Sequence, residues 1–208
     1  MPLTPCSDLS AADWIVDSGI PWEQLVGFGP PGFPAYARLR FFPDPAFEGQ
    51  SQNDVDRDRD APSDIARLRA SMETLTRHTG TPDACYFCVW EGWPLQRREG
   101  TAERSVHPSV VLDVPQAVIP NRAYFLLEGE ASDLASWDAT RAWLGHRRLL
   151  DVPPAFMWPA DHAWCIACDV DQHYAGIGAA TEAIDQLLAD PRLDPVPADP
   201  REFQPAYR

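Results

Sequence analysis

The chain has 208 residues, of which 45% are hydrophobic and 23% are charged. This balance is typical of a globular protein and excludes a chain that is disordered throughout, and the length favours one domain over residues 1–208. The formal net charge is −14, from 31 acidic residues against 17 basic ones, and the basic residues are all arginine. Such a charge argues against direct binding to nucleic acid, whose phosphates need a positive protein surface, and it suits a basic partner.

The sequence shows no targeting or membrane signal. Residues Met1 to Ser10 lack the charged start and apolar centre of a secretory signal peptide. No apolar run approaches the roughly 20 residues that a membrane-spanning helix needs. Five cysteines is an odd number, which favours reduced thiols over a framework of disulfides. We therefore expect a cytoplasmic protein that does not bind a membrane.

The first part of the chain contains two predicted elements and a loop. Leu9 to Ser18 is typical of a short helix. Ala35 to Phe42 alternates polar and apolar residues, as a strand with one buried face does, and Arg38 lies on its polar face. Residues 43–61 are rich in Asp, Gln, Asn and Pro and poor in core-forming residues, which predicts a mobile acidic loop.

An amphipathic helix and several strands follow this loop. Pro62 stands where a helix begins, and apolar residues recur at three- and four-residue spacing until the helix ends near Gly80. The remaining predictions are strands at Ala84 to Glu91, Val110 to Val114, Arg122 to Leu127 and Ala163 to Val170, a charged loop at Gln96 to His107, a helix at Ala131 to Trp143 and a closing helix at Thr181 to Leu188. Strands interspersed irregularly with helices predict an α+β single domain, with a mixed or antiparallel sheet flanked by about three helices.

The end of the strand at Ala163 to Val170 carries the densest candidate chemistry. Asp169, Asp171 and His173 alternate along the chain, so continued strand geometry would place them on one face. Carboxylates and an imidazole on one face can bind a divalent ion or supply a general base with an orienting partner. Asp169 and Asp171 are the best candidates for catalytic residues. Gly176 to Gly178 predicts a glycine turn ahead of the closing helix.

Two Cys-x-x-Cys pairs have the composition of a four-thiolate zinc site. The pairs are Cys85 with Cys88 and Cys165 with Cys168. Both pairs lie in apolar runs that favour strands, in which positions i and i+3 face opposite sides. We therefore expect buried structural cysteines, with no metal or cofactor. A zinc-stabilised fold through these four thiols is an alternative.

A second set of candidates surrounds the two carboxylates. A pocket at the end of this strand would have tryptophan walls, arginine side chains and carboxylate anchors, as small-molecule sites do. The predicted ligand-binding residues are Asp161, Trp158, Trp164, Arg122 and Arg38. Such a pocket would suit a small-molecule-binding enzyme.

Four sequence blocks are distinctive in combination. They are GFPAYARLRF (Gly32 to Phe41), TPDACYFCVWEGW (Thr81 to Trp93), PNRAYFLLEGE (Pro120 to Glu130) and MWPADHAWCIACDVD (Met157 to Asp171). Together they cover about a quarter of the chain and resemble a family of uncharacterised actinobacterial soluble proteins of about this size. The resemblance implies a shared fold, with no established activity. The residues that fit the usual pattern are Pro159, Asp161, Trp164 and Asp171. His162 stands where arginine is more usual, and Cys168 and His173 are particular to this chain.

Three functional hypotheses follow from these observations. The first is a non-catalytic cytoplasmic binding or interaction protein, of immunity or regulatory type, whose acidic surface meets a basic protein. The acidic balance of the chain favours it. The second is a small-molecule-binding enzyme with the carboxylate- and tryptophan-lined pocket at the end of the 163–170 strand. The third is the zinc-stabilised fold.

Overall fold

A computed structural model describes residues 3–55, 61–92, 95–97, 114–134, 147–149 and 153–208. The strands within these ranges are β1 (Thr4–Pro5), β2 (Ala35–Arg40), β3 (Cys85–Trp90), β4 (Leu95–Arg97), β5 (Gln116–Ile119), β6 (Arg122–Gly129), β7 (Arg147–Leu149), β8 (Phe156–Pro159), β9 (Trp164–Ala167), β10 (Tyr174–Ala179) and β11 (Pro195–Pro197). The α-helices are α1 (Asp13–Val16), α2 (Trp22–Phe28), α3 (Asp64–Leu75) and α4 (Thr181–Leu188). Short 3-10 helices are found at Ser10–Ala12, Gln52–Asp54 and Thr76–His78.

Nine of the described strands form one antiparallel sheet. Its order is β1-β6-β3-β8-β9-β10-β2-β11, and β5 also pairs with β6. β4 and β7 form a separate two-stranded sheet. The predicted α+β single domain is therefore confirmed, and the sheet is antiparallel. The described residues contain four α-helices, one more than expected.

Alternation along the strands separates the apolar residues into two cores, one on each face of the sheet. Phe87 of β3 and Ile166 of β9 belong to the first core, which α3 and α4 cover. Cys88 and Ala167, their chain neighbours, belong to the second core, which α1 and α2 cover. Because helices cover both faces, the central strands are buried on both sides, and their sequences are continuously apolar.

The amphipathic pattern after residue 62 forms α3, as predicted. Ser63 caps the helix by accepting a hydrogen bond from the backbone N–H of Ala66 at 3.2 Å. Leu68, Met72 and Leu75 recur at helical spacing and are fully or almost fully buried against the sheet. The helix ends at Leu75, earlier than predicted, and a 3-10 helix continues the chain toward residue 80.

The predicted glycine turn at Gly176 to Gly178 is wrong, because these residues lie inside β10. Both glycines face α2 and the loop that follows it. A Cβ atom on Gly176 would overlap the carbonyl oxygen of Gly27 in α2, and one on Gly178 would overlap the ring of Phe33. Glycine is needed here because the helix backbone packs directly on the strand.

Several other predictions need correction or lie outside the described residues. The strand predicted at 163–170 ends at Ala167. The first two residues of the charged loop predicted at Gln96 to His107 belong to strand β4, whereas residues 98–107 lie outside the described ranges. The same is true of 110–113 in a predicted strand, 135–143 in a predicted helix and 56–60 in the predicted acidic loop. Among the described helices, none has the length and apolar content needed to cross a membrane.

Candidate functional site

A guanidinium at one end of the sheet marks the candidate site. Arg122 is the first residue of β6 and follows a tight turn in which Asn121 has a left-handed backbone (φ 64°). Asn tolerates this conformation better than most residues. Nη1 of Arg122 donates a hydrogen bond to the carbonyl oxygen of Asn121 at 3.1 Å. The turn therefore holds the arginine side chain next to the start of its own strand.

Asp169 is the buried acidic partner of Arg122. It lies in the turn that follows β9, and its side chain is only 4% exposed. Nε of Arg122 donates to Oδ1 of Asp169 at 3.3 Å, and Nη2 donates to Oδ2 at 3.0 Å. A forked pair of this kind fixes the orientation of both side chains. The hydrogen bond with Asp169 is also the main reason why the pKa of Arg122 is raised above its ordinary value.

Two indole rings lie against the same guanidinium. Cζ of Arg122 lies 5.3 Å from the ring centroid of Trp22, the first residue of α2. It lies 5.4 Å from the ring of Trp90, the last residue of β3. Both distances are within the roughly 6 Å over which a cation is attracted to an aromatic face. We refer to Arg122, Trp22, Trp90 and Asp169 as the arginine stack.

Asp171 extends the arginine stack toward solvent. Its Oδ2 accepts a hydrogen bond from Nη2 of Arg122 at 2.9 Å, although its side chain is 79% exposed. Within the described part of the chain, its Oδ1 has no hydrogen-bond donor. One guanidinium is thus shared by two carboxylates, which leaves the site with a net negative charge. The Asp171 carboxylate is largely open to solvent.

A buried phenol lies next to this group. Tyr124 follows Arg122 by two residues on β6, so the two side chains share one face of the sheet. Burial, followed by the charge of Asp169, raises the pKa of Tyr124. Its hydroxyl is buried without a hydrogen-bond partner among the described residues. The arginine stack therefore continues directly into the second core.

A second charged group forms around Asp44 and does not include the arginine stack. Arg38 of β2 donates from Nη1 and Nη2 to the two Asp44 oxygens at 2.6 and 3.1 Å. Nε2 of His173 lies 3.1 Å from Oδ1 of Asp44. Hydrogen bonds from Arg38 hold the pKa of Asp44 well below its usual range. Burial lowers the pKa of His173, although Asp44 opposes that shift.

The C-terminal segment covers this second group. Tyr207 donates a hydrogen bond from its hydroxyl to the carbonyl oxygen of Pro43 at 2.6 Å. Its ring centroid lies 5.0 Å from the ring of His173. Burial of His173 therefore depends in part on a segment without helix or strand.

The structure separates residues that the sequence analysis placed on one face. Residues 168–173 connect β9 to β10 and are not a strand. Asp169 and Asp171 therefore turn toward Arg122, whereas His173 turns toward Asp44. The expectation that the three side chains share a strand face is wrong.

The other predicted ligand-binding residues lie apart from the arginine stack. Trp158 and Trp164 are fully buried in opposite cores. Asp161 accepts hydrogen bonds from the Thr79 hydroxyl and the Gly80 backbone N–H, both at 2.7 Å. Partial burial acts to raise the pKa of Asp161, but these hydrogen bonds outweigh it and lower the pKa. The Asp161 carboxylate thus ties the β8–β9 loop to residues 79–80.

The four thiols of the Cys-x-x-Cys pairs do not converge. Cys85 and Cys168 lie in the first core, and Cys88 and Cys165 lie in the second. The expectation that each pair faces opposite sides of the sheet is confirmed, and the cysteines are free and buried. No group of three or more His, Cys, Asp or Glu residues in the described ranges could hold a metal ion. The structure therefore gives no support to the zinc alternative.

Two clefts lie at the other end of the sheet order, near β2 and β11. The larger, of about 480 Å³, has walls that include Phe41, Arg67 and Asp194. The smaller, of about 370 Å³, lies between Arg38 and the C-terminal segment. Neither is lined by Arg122, Asp169 or Asp171.

Three residues of the site were predicted from the sequence, and its two aromatic residues were not. Arg122, Asp169 and Asp171 were candidates, but Trp22 and Trp90 were not. Trp90 ends an apolar strand, and that position was a usable signal. Trp22 reaches the site only because α2 packs across β10, which local sequence patterns do not reveal.

Comparisons with known proteins add no relative to this description. No protein-family model, no curated protein and no solved structure matches the chain.

Proposed function

We propose that this chain is a non-catalytic binding protein that recognises a basic partner at Asp171 and the arginine stack. One observation carries the proposal: an exposed carboxylate with one unused oxygen is attached to a buried framework of arginine, tryptophan and aspartate. Such a carboxylate is an acceptor for the cationic side chain of a partner.

The framework supports recognition because it is ordered before a partner arrives. All three nitrogen atoms of the Arg122 guanidinium donate hydrogen bonds, to Asn121, Asp169 and Asp171. Two aromatic rings restrict the same group. A partner that binds Asp171 therefore has little side-chain entropy to remove from this surface.

Residue types and overall charge support the same conclusion. Tryptophan, tyrosine and arginine are the residues most enriched among the few interface positions that supply most of the binding energy. The net charge of −14 attracts a basic partner over distances of about 10 Å at moderate salt. The net charge favours the approach of a basic partner, and the preformed site favours its binding.

The test compares two variants with the same change in charge. Asp171→Asn removes the exposed carboxylate of the site, and Asp185→Asn removes an exposed carboxylate on α4, which covers the opposite face of the sheet. A labelled peptide with alternating glycine and basic residues is titrated by fluorescence anisotropy at low and at raised salt.

We expect Asp171→Asn to weaken binding about tenfold, which corresponds to about 1.4 kcal/mol, and Asp185→Asn to weaken it far less. Mass spectrometry should recover the peptide intact, as a non-catalytic role requires. Equal weakening by the two variants would show that binding depends only on net charge, and the proposal would then be rejected. Cleaved or modified peptide would reject the non-catalytic role.

A further inference from the structure

We infer that the partner group recognised at Asp171 is an arginine side chain rather than a lysine side chain. This inference rests on the function proposed above and specifies its ligand. The geometry points to it because the site already holds one guanidinium, and the features that hold it continue to the surface.

The arginine stack shows which kind of cation this part of the protein already accommodates, namely its own Arg122 guanidinium. The Arg122 guanidinium lies over two indole rings, with its Cζ 5.3 and 5.4 Å from their centroids. At the same time it presents a two-nitrogen edge to Asp169. A flat cation can meet an aromatic face and a carboxylate edge together, and this combination is particular to guanidinium.

Asp171 offers the same pair of features to a second cation. Its Oδ1 accepts no hydrogen bond from the described residues, and its side chain is largely exposed. Trp22, which lies against the same Arg122 guanidinium, is partly exposed. An incoming guanidinium can donate to Oδ1 of Asp171 while its plane lies against the accessible part of the indole.

An ammonium group cannot use both features equally well. The lysine cation is a compact and strongly hydrated charge, so contact with the indole requires it to give up water. Arginine is more weakly hydrated and stacks on aromatic rings more often than lysine does. The difference expected at a partly exposed ring is about fivefold in affinity.

The experiment uses three peptides of equal length in which glycine alternates with arginine, with lysine or with citrulline. Citrulline keeps the shape of arginine and removes its charge. Binding to the full chain is measured by fluorescence anisotropy at one salt concentration. We expect the arginine peptide to bind about fivefold more tightly than the lysine peptide, and the citrulline peptide to bind most weakly.

Two variants locate the preference. In Asp171→Asn, the ratio of the two affinities should fall toward one, because the carboxylate that receives the guanidinium edge is lost. In Trp22→Leu, the arginine peptide should bind more weakly and the affinity of the lysine peptide should change little, because the aromatic face is lost. Circular dichroism and urea unfolding establish that each variant is folded, and Asp171→Asn is the more conservative change because the residue is largely exposed.

The outcomes separate this inference from the broader proposal. Equal affinity for the arginine and lysine peptides, with binding that still depends on Asp171, overturns the arginine preference and leaves the basic-partner function in place. Absence of binding by both cationic peptides overturns both. A preference for arginine that persists unchanged in both variants places the recognition elsewhere and also overturns the inference.

Discussion

The ion pair inside the arginine stack leads to a quantitative prediction, because the same Asp-to-Asn substitution can be made at a buried carboxylate that accepts two hydrogen bonds from Arg122 and at an exposed one that accepts a single bond. Asp169→Asn and Asp171→Asn each remove one carboxylate that accepts from the same Nη2 atom of Arg122. The Asp169 side chain is 4% exposed and that of Asp171 is 79% exposed. Loss of one member of a buried pair costs about 3–5 kcal/mol, whereas exposed pairs contribute about 1 kcal/mol or less.

We therefore expect Asp169→Asn to lower the free energy of unfolding by about 3 kcal/mol, the lower end of the range, because Asp171 still partly neutralises Arg122. For a chain of this size, this corresponds to a fall in Tm of about 6–12 °C. Asp171→Asn should lower the free energy of unfolding by less than about 1 kcal/mol. Urea unfolding followed by circular dichroism measures both values, with the denaturant slope as a check on two-state behaviour.

A double variant tests whether the two buried groups act together. Arg122→Met with Asp169→Asn removes both members of the pair, so neither is left buried and unpaired. We expect its cost to be smaller than the sum of the single costs by about 1–3 kcal/mol. Equal effects of Asp169→Asn and Asp171→Asn, or strictly additive effects in the double variant, would refute the buried-pair explanation.

Three further predictions address other parts of the structure. Gly176→Ala should destabilise the protein by about 1–3 kcal/mol or more, because the new methyl group meets the α2 backbone; Gly80→Ala, where a Cβ meets only an ordinary contact, is the matched control in urea unfolding. Burial lowers the pKa of His173, so the unfolded chain takes up the proton first and the free energy of unfolding should fall as the pH drops below about 6.5. His173→Gln should reduce that pH dependence, and an unchanged slope would contradict this explanation. The cysteines are buried and burial raises their pKa values, so a thiol reagent at mild alkaline pH should modify less than about one equivalent in the native chain and five after unfolding.

Local periodicity was sufficient to predict two elements, β2 and α3. α3 buries one face, so helical spacing is visible in its sequence. β2 alternates apolar residues with arginines, and this alternation predicts the strand although Arg38 on its polar face is also buried. The β10 glycines were misread, because glycines at close spacing are also typical of turns. Their reason for being glycine is the approach of Gly27, which is distant in the sequence.

The candidate site was predictable only in the part that a local sequence pattern reveals. Asp169 and Asp171 follow an apolar strand, and that pattern marked them as candidates. Their pairing with Arg122 depends on which strands are neighbours, and no local pattern encodes the strand order. Asp44 was missed because it lies in a segment whose composition indicates a loop, although the structure buries its pairing with Arg38.

The position of β2 in the sheet has a consequence for synthesis of the chain. β2 pairs with β10 and β11 and with no other strand of the described sheet. Arg40 ends β2, and its partner Tyr174 begins β10. At typical elongation rates of about 5–20 residues per second, synthesis of the chain from Arg40 to Tyr174 takes about 7–27 s. During this time β2 has no partner strand in the described sheet. The β2 side of the sheet is therefore assembled only after the residues between Arg40 and Tyr174 have been synthesised, and nascent chains should depend on chaperones more than the stability of the finished fold suggests.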